Sequence, residues 1–550
     1  MSSQSHQSDE LQQLHQLHQL HEIQKLHEVK QVEQLDEAKV KQEVDNLTSL
    51  RHDYSHCYLK HGTEPEACTE ENILVRPAAL ENACWVFNEI LALHNVSIKE
   101  LSNTVHCQIV YPDDVEYNTV RLNYNKEINV FPAACVLVRN TNNIANTIAF
   151  ATKYNIPFRI RSGKHAQVAA SVINLGIVID TSNMNKILLL NDHKCIVQSG
   201  ILLGPLEQAL SEKNKLFPVG TCATNGLAGF TLGGGFGLLQ RKYGLAIDNL
   251  LALTFVDANG NVKRLSHDSQ HDNDLLLAAF KGAGGGNFGV VTLFEFKVYN
   301  IPKACAFSYY FDRSSIQQVF DIFQDNKFVN NVTMDLVIVG KTEPILISGV
   351  YIPDNFNDSN DDIVQQCRCI LTPFDCLTIN THVETMTNNQ LCQWMSAGSY
   401  ARPPYFLIRT TFAERRLPQT AIDTIIKRMN LAETTHGISF LLMGGVIPNV
   451  KSYQTAFPYR DSKFWVQIFT RWDNQSLGLA SKAWVDQTLY AITPYLVHYQ
   501  DTIPLYVNFL DYNLSREQAL TSYYRDNVHW LQLVKHVIDP NNVFNFEQSL

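Results

Sequence analysis

Two glycine-rich stretches, each carrying a nucleophilic side chain, constrain this chain more than anything else in it. The first reads Arg161-Ser162-Gly163-Lys164-His165, and the second runs from Gly220-Thr221-Cys222-Ala223-Thr224-Asn225-Gly226 to Gly233-Gly234-Gly235-Phe236-Gly237. Glycine takes positive φ and lets a main chain come close to a ligand, so the pair predicts a cradle for something flat and phosphate-bearing. A third run, Gly282-Ala283-Gly284-Gly285-Gly286-Asn287-Phe288-Gly289, leads into Val290 and Val291 and adds another close backbone approach. No Gly-x-x-x-x-Gly-Lys-Ser/Thr is present, and Gly233 to Gly237 lacks the order and the later acidic residue of a dinucleotide fingerprint. Taken singly, His165 reads as a loop histidine and Cys222 as a small buried thiol. Together, in two such segments, they are candidates for bonding to the ligand.

At 550 residues the chain exceeds one core and predicts two domains plus an extra segment. A net charge of −10 and a pI near 6.0 exclude nucleic acid as the partner. No apolar run is long enough for a membrane helix, and Met1 to Lys30 is polar without a secretory pattern, so the expected setting is cytoplasmic. The closest cysteine set, Cys367, Cys369 and Cys376, lacks the paired spacing of a zinc site, and no metal is expected. Residues 8–45 carry apolar side chains at every third position from Leu11 to Leu35. Such a stripe precesses by roughly 60° per step and makes no lasting face, which predicts a solvated helix or a disordered arm. Within it His15, His18 and His21 read as repeat-derived low complexity.

Further along, Pro132–Val138 and Pro157–Ile160 read as strands around a helix from Asn143 to Tyr154, a unit that delivers Arg161 to His165 at a strand's end. Ala258-Asn259-Gly260-Asn261 reads as a hairpin turn between Leu253–Asp257 and Val262–Leu265. From about 301 to 500 the glycine clusters stop and alternating strands appear, such as Thr333–Val339 and Ile345–Tyr351. Trp394, Tyr405, Trp465 and Trp472 lie there and read as core more readily than as ring-stacking groups. The expected divisions are 1–50 low-complexity, 51–104 helical, 105–300 ligand-binding, 301–500 substrate-binding, and 501–550 returning to the 105–300 part.

With Met443-Gly444-Gly445-Val446, Thr455 to Arg460, Tyr506-Val507-Asn508-Phe509 and Asp539 to Phe544, these segments form an ordered set over about residues 105–550. The set resembles the berberine bridge enzyme family of the vanillyl-alcohol-oxidase, PCMH-type, FAD-binding superfamily. That resemblance implies an α+β fold, with a two-part PCMH-type FAD-binding domain and an α+β substrate domain built on a large antiparallel sheet. It implies FAD attached bicovalently, through His165 to the 8α-methyl and Cys222 to C6. Arg161, Ser162, Gly163, Lys164, Thr221, Thr224, Asn225, Gly226, Gly229, Gly234, Tyr243, Gly289, Val290 and Val291 are then expected around the cofactor. It also implies a catalytic tyrosine at Tyr506, with Asn508 on the same face if the segment is a strand of two-residue period.

The implied activity is oxidation of a hydroxyl of a carbohydrate or secondary metabolite by hydride transfer to flavin. Oxygen or another electron acceptor then reoxidises the flavin. The competing reading is a catalytically silent flavin protein whose N-terminal arm serves binding. Lys164 stands where the family often has glycine. Asn225 stands where a small apolar residue is common, which leaves oxidase and dehydrogenase both open.

Overall fold

In the computed structural model, residues 98–550 are described, apart from 268–271, 302, 326–327, 398–404 and 498. The expected 1–50 arm, and the 51–104 addition up to residue 97, lie outside the described residues.

Four strands form the first sheet: β1 (Gln108–Val110), β2 (Ala134–Leu137), β3 (Phe158–Arg161) and β4 (Ile177–Asp180), in the order β1-β2-β4-β3. β2 and β3 both run parallel to β4, and the helix Thr141–Lys153 connects β2 to β3. This is the expected strand-helix-strand unit. The helix begins where the Asn140 side chain accepts the Asn143 amide, and its buried face of Ile144, Thr147, Ile148 and Ala151 has helical spacing.

A second, antiparallel sheet contains β5 (Ile187–Asn191), β6 (Lys194–Gln198), β8 (Leu250–Val256), β9 (Val262–Ser266) and β10 (Val290–Lys297), ordered β5-β6-β10-β8-β9. The β8–β9 hairpin turns at Gly260, whose φ of +78° lies in the left-handed region as the sequence required. Two short strands, β7 (Lys215–Leu216) and β11 (Tyr299–Asn300), pair with each other.

The third sheet is the large antiparallel one. Its strands are β12 (Lys303–Phe311), β13 (Val332–Val339), β14 (Ile345–Tyr351), β15 (Thr378–Thr387), β16 (Tyr405–Ala413), β17 (His436–Leu442) and β18 (Phe464–Trp472). They lie in the order β15-β12-β14-β13-β17-β18-β16. One face buries Phe307, Met334, Leu336, Ile338 and Ile347 against helices that include Ile316–Asp325 and Gln419–Met429. On the opposite face Ala306, Val350, Leu441, Trp465 and Phe412 pack with Phe236 of the second glycine segment and Tyr506 of the tail. That second face looks toward the glycine-rich loops.

The tail is fastened to the third glycine run. Lys535 Nζ donates to the Asn287 carbonyl at 2.8 Å, and the Leu550 amide donates to Asn287 Oδ1 at 3.0 Å.

Candidate active site

The two nucleophile-bearing segments meet through their backbones. A Cβ built on Gly226 would lie 2.7 Å from both Gly163 Cα and Ser162 Oγ, and one built on Gly163 would overlap the Gly226 amide. No side chain fits at either position, because the obstruction is main chain that cannot turn aside. Ser162 Oγ also donates to the Ser199 carbonyl at 2.9 Å, while the Leu203 and Gly204 amides donate to the Asn225 and Ala223 carbonyls. The Cys222 loop is thereby tied to the start of the helix Leu203–Ser211.

His165 is partly buried and its ring stacks on Tyr124, with centroids 3.9 Å apart. Burial lowers its pKa to about 4, so the imidazole is neutral at pH 7 with a free lone pair. Cys222 Sγ lies 3.3 Å from Thr224 Oγ1. Lys164 adopts φ +62°, the conformation glycine takes without strain, and its Nζ donates to the Val120 carbonyl at 3.2 Å. Arg161 turns inward. Its guanidinium pairs with buried Asp180 at 2.7 Å and donates to the carbonyls of Val120 and Arg121, so the side chain shapes the loop from behind.

Thr221 and Gly229 are exposed. Val290 and Val291 are core residues of β10, paired with Val256 and Phe255, and Gly289 precedes them at a position where an added Cβ would lie 2.6 Å from the Phe255 ring and from the Val256 carbonyl. Tyr243 packs its ring on Tyr299 at 4.1 Å.

Sequence reasoning missed the residues that clamp the histidine loop to the large sheet. Asn125 Nδ2 donates to the carbonyls of Gln167 and Phe406, and Gln167 Oε1 accepts the Ile408 amide at 3.0 Å. Tyr124 touches Phe406 edge-on at 6.1 Å. Tyr124 and Asn125 lie some 40 positions before the loop in no motif, Gln167 lies just after His165, and only the fold brings them to the sheet.

Tyr506 and Asn508 come together, but not as a strand. The segment is a turn closed by the Phe509 amide on the Tyr506 carbonyl at 2.9 Å, which corrects the two-residue period. Tyr506 is also the most buried residue of the four. A turn through Asn508 lets its Nδ2 donate to Tyr506 Oη at 3.0 Å, and the Gly235 amide donates to the same oxygen at 3.0 Å. The ring is enclosed by Phe236, Phe412, Phe457, Trp465 and Phe509, with centroids 4.7 to 6.5 Å away. Both donors favour the phenolate, yet burial is the larger effect and raises the pKa well above the ordinary tyrosine value.

The cradle retains polar atoms without protein partners. Both side-chain ends of Asn123, Ser199 Oγ and Thr231 Oγ1 are buried and unpaired, and a Cβ on Gly229 would meet no atom within 4 Å. Buried polar groups are ordinarily hydrogen-bonded, so this set fits a polar ligand lying in the cradle. A family model described as an FAD binding domain matches residues 132–266, and one described as berberine and berberine like matches residues 505–550. YvdP of Bacillus subtilis, named an uncharacterised FAD-linked oxidoreductase, is 31% identical over 467 residues, covering 80% of this chain and 97% of its own length. This chain belongs to the berberine bridge enzyme-like FAD-linked oxidoreductases.

Solved members share the fold. Wild-type BBE-like 1 of Physcomitrella patens superposes with a TM-score of 0.73 at 23% identity, covering 82% of this chain and 99% of its own. The xylooligosaccharide oxidase of Myceliophthora thermophila C1, solved in complex with xylobiose, gives a TM-score of 0.73 at 21% identity over the same shares. The protein is an FAD-dependent oxidoreductase with the expected α+β architecture. Among the described residues no helix is long and apolar enough to cross a membrane.

Proposed function

We propose that this berberine bridge enzyme-like protein oxidises a hydroxyl of a small carbohydrate or secondary metabolite, with FAD attached through both His165 and Cys222. The observation that carries the reading is the main-chain contact between Gly163 and Gly226, which makes one site of the two nucleophile-bearing loops. FAD, when bound, supplies the two-electron acceptor for the hydride leaving the carbinol carbon. His165 suits attachment because burial keeps it neutral, leaving a ring nitrogen free to form a bond. Asn123, Ser199 and Thr231 are the side chains left to hydrogen-bond the cofactor, alongside the exposed backbone at Thr221 and Gly229. The acceptor that reoxidises it is oxygen or another oxidant, with Asn225 beside Cys222 as the residue to examine.

For Tyr506 a positioning role stands beside the base expected from the resemblance. A base works best with a pKa near the operating pH, whereas burial drives this phenol the other way. Its oxygen, accepting from Gly235 and Asn508, pins the tail onto the second glycine segment.

Acid precipitation tests the attachment. Flavin should stay with the polypeptide in the parent, in His165→Ala and in Cys222→Ala, and should appear in the supernatant only for the double variant. Free flavin from the parent would rule out covalent attachment. Full retention of the spectrum with Cys222→Ala but complete release with His165→Ala would reduce it to one bond.

A further inference from the structure

A histidine that presents one ring nitrogen to a ligand is ordinarily aimed by a hydrogen bond at the other, which fixes both the tautomer and the ring's direction. His165 has no such bond. Among the described residues neither of its nitrogens has a hydrogen-bond partner, and burial alone accounts for its lowered pKa. What lies on the ring is Tyr124, stacked with centroids 3.9 Å apart and planes 20° from parallel. The last torsion of a histidine side chain is broad unless something packs on a face of the ring, so this stack is what sets the imidazole plane.

Tyr124 is itself anchored to the loop that carries the histidine. Its amide donates to the carbonyl of Lys164, the residue before His165, at 2.8 Å, so platform and imidazole are held as one body. Beside it, Asn125 Nδ2 donates to the carbonyls of Gln167 at 3.0 Å and Phe406 at 3.2 Å, and the Tyr124 ring meets Phe406 edge-on. The pair Tyr124-Asn125 is therefore bonded to the chain on both sides of His165 and to strand β16. The Cys222 loop is held by a different set, the Leu203 and Gly204 amides on the Asn225 and Ala223 carbonyls and the Thr224 hydroxyl against the thiol.

We propose that Tyr124 is a positioning residue for flavin attachment at His165, its ring a platform that keeps the imidazole turned for bond formation, and that attachment at Cys222 does not depend on it. This rests on the reading above, in which both residues bond to FAD.

Attachment at His165 joins a ring nitrogen to the 8α-methyl carbon and breaks one C–H bond of that methyl and the imidazole N–H. The two protons and two electrons released pass to oxygen as hydrogen peroxide, so no further co-reactant is needed. The protein's share of the step is geometric. A neutral imidazole offers a lone pair, and the direction of that lone pair decides whether it meets the carbon. Stacking suits the task because it fixes the plane of the ring while leaving both nitrogens unengaged.

The test leaves one attachment site at a time. Full-length variants are produced with riboflavin limiting and then given excess FAD, and the flavin that stays with the acid-denatured polypeptide is followed over time by in-gel fluorescence. With His165 as the remaining site, Cys222→Ala should attach flavin, and Cys222→Ala/Tyr124→Ala should do so roughly 10- to 100-fold more slowly, the cost of a misaligned reacting group. Cys222→Ala/Tyr124→Phe keeps a ring to stack on and should attach at the Cys222→Ala rate. With Cys222 as the remaining site, His165→Ala and His165→Ala/Tyr124→Ala should attach flavin equally, which also shows that the chain without Tyr124 folds and takes up FAD.

Three results would overturn the proposal. One is an undiminished rate in Cys222→Ala/Tyr124→Ala, and another is a Tyr124→Phe variant as slow as Tyr124→Ala. The third is an equal loss of attachment at Cys222, which would make Tyr124 a general support of the fold. Release of all flavin by Cys222→Ala with Tyr124 in place is a separate failure: it would remove attachment at His165 itself, and this inference with it.

Discussion

The cradle around His165 and Cys222 is built mainly from backbone, whereas the sheet face above it is built from side chains on strands far apart in the sequence. In the cradle the decisive contact is Gly163 against Gly226, main chain on main chain. On the sheet it is Asp335, Leu441 and Trp465, brought into one row by register across β13, β17 and β18. The difference bears on how each region tolerates change. Backbone contact leaves no rotamer to move, so an added methyl has nowhere to go. A sheet row accepts many side chains of similar size, since each is held by its own strand.

The comparison gives its largest effect at the glycines. Gly163→Val or Gly226→Val should abolish flavin loading and lower the melting temperature strongly, since overpacking against rigid atoms costs about 1–3 kcal/mol or more even where neighbours can shift. Ser348→Ala on the roof should load flavin normally and melt within roughly 0.5 kcal/mol of the parent, the usual range for substitutions away from such tight contacts. Flavin absorbance per protein and a thermal melt decide both. If Gly226→Val loads flavin like the parent, the cradle is more pliable than its contacts indicate.

This contrast also explains what could be read from the sequence. Close backbone approach demands glycine, so the cradle shows as three local clusters, and the strand-helix-strand unit ahead of His165 shows as periodicity. Strands β13 and β14 were expected at 333–339 and 345–351 and are observed at Val332–Val339 and Ile345–Tyr351. Asp335 gave a faint local signal, a lone acid in the apolar run Val332-Thr333-Met334-Asp335-Leu336-Val337. Its place in one row with Trp465, 130 positions later, depends on a register no local pattern records. The Tyr506 segment failed for another reason. Four residues are too few to separate a two-residue period from a turn, and the Asn508 side chain settles the matter by bonding back to Tyr506.

Tyr506→Phe comes next in size. It strips the acceptor from the Gly235 amide and from Asn508 Nδ2, both in the interior, and an unsatisfied buried donor costs about 1–3 kcal/mol. As a pin, Tyr506 predicts a lower melting point with flavin reduction slowed less than about 10-fold. As the base it predicts a slowing of about 100- to 10,000-fold with the fold intact. Stopped-flow bleaching of oxidised flavin, run beside a thermal melt, separates the two.

A pH effect is expected where the two regions join. Glu207, on the helix Leu203–Ser211, is 3% exposed with Oε1 unpaired, and it lies against Cys392 of the roof helix Asn388–Ser396. Burial raises its pKa from 4.5 to about 8. The raised value means that the folded protein holds this proton more tightly than the unfolded chain does. Stability should then fall as pH climbs from about 4.5 to about 8 and level off beyond. Glu207→Gln should flatten that limb and raise the melting temperature at pH 9, and a steeper limb in the variant would contradict the assignment.

The smallest effect belongs to the exposed ion pair across the same junction. Lys482, on the roof helix Gly478–Ile492, places Nζ 2.9 Å from Glu127 Oε2, with side chains 38% and 28% exposed. Water and salt screen such a pair, and holding two long side chains together costs rotamer entropy, so its net contribution is about 0.2–1 kcal/mol. Lys482→Ala should lower the melting temperature slightly at low ionic strength, and 0.5 M salt should erase the difference. Glu207→Gln should keep its alkaline stabilisation in the same salt, because a desolvated carboxyl with no charged partner offers salt little to screen. Equal salt sensitivity at the two sites would mean that the Glu207 seam is wetter than its 3% exposure indicates.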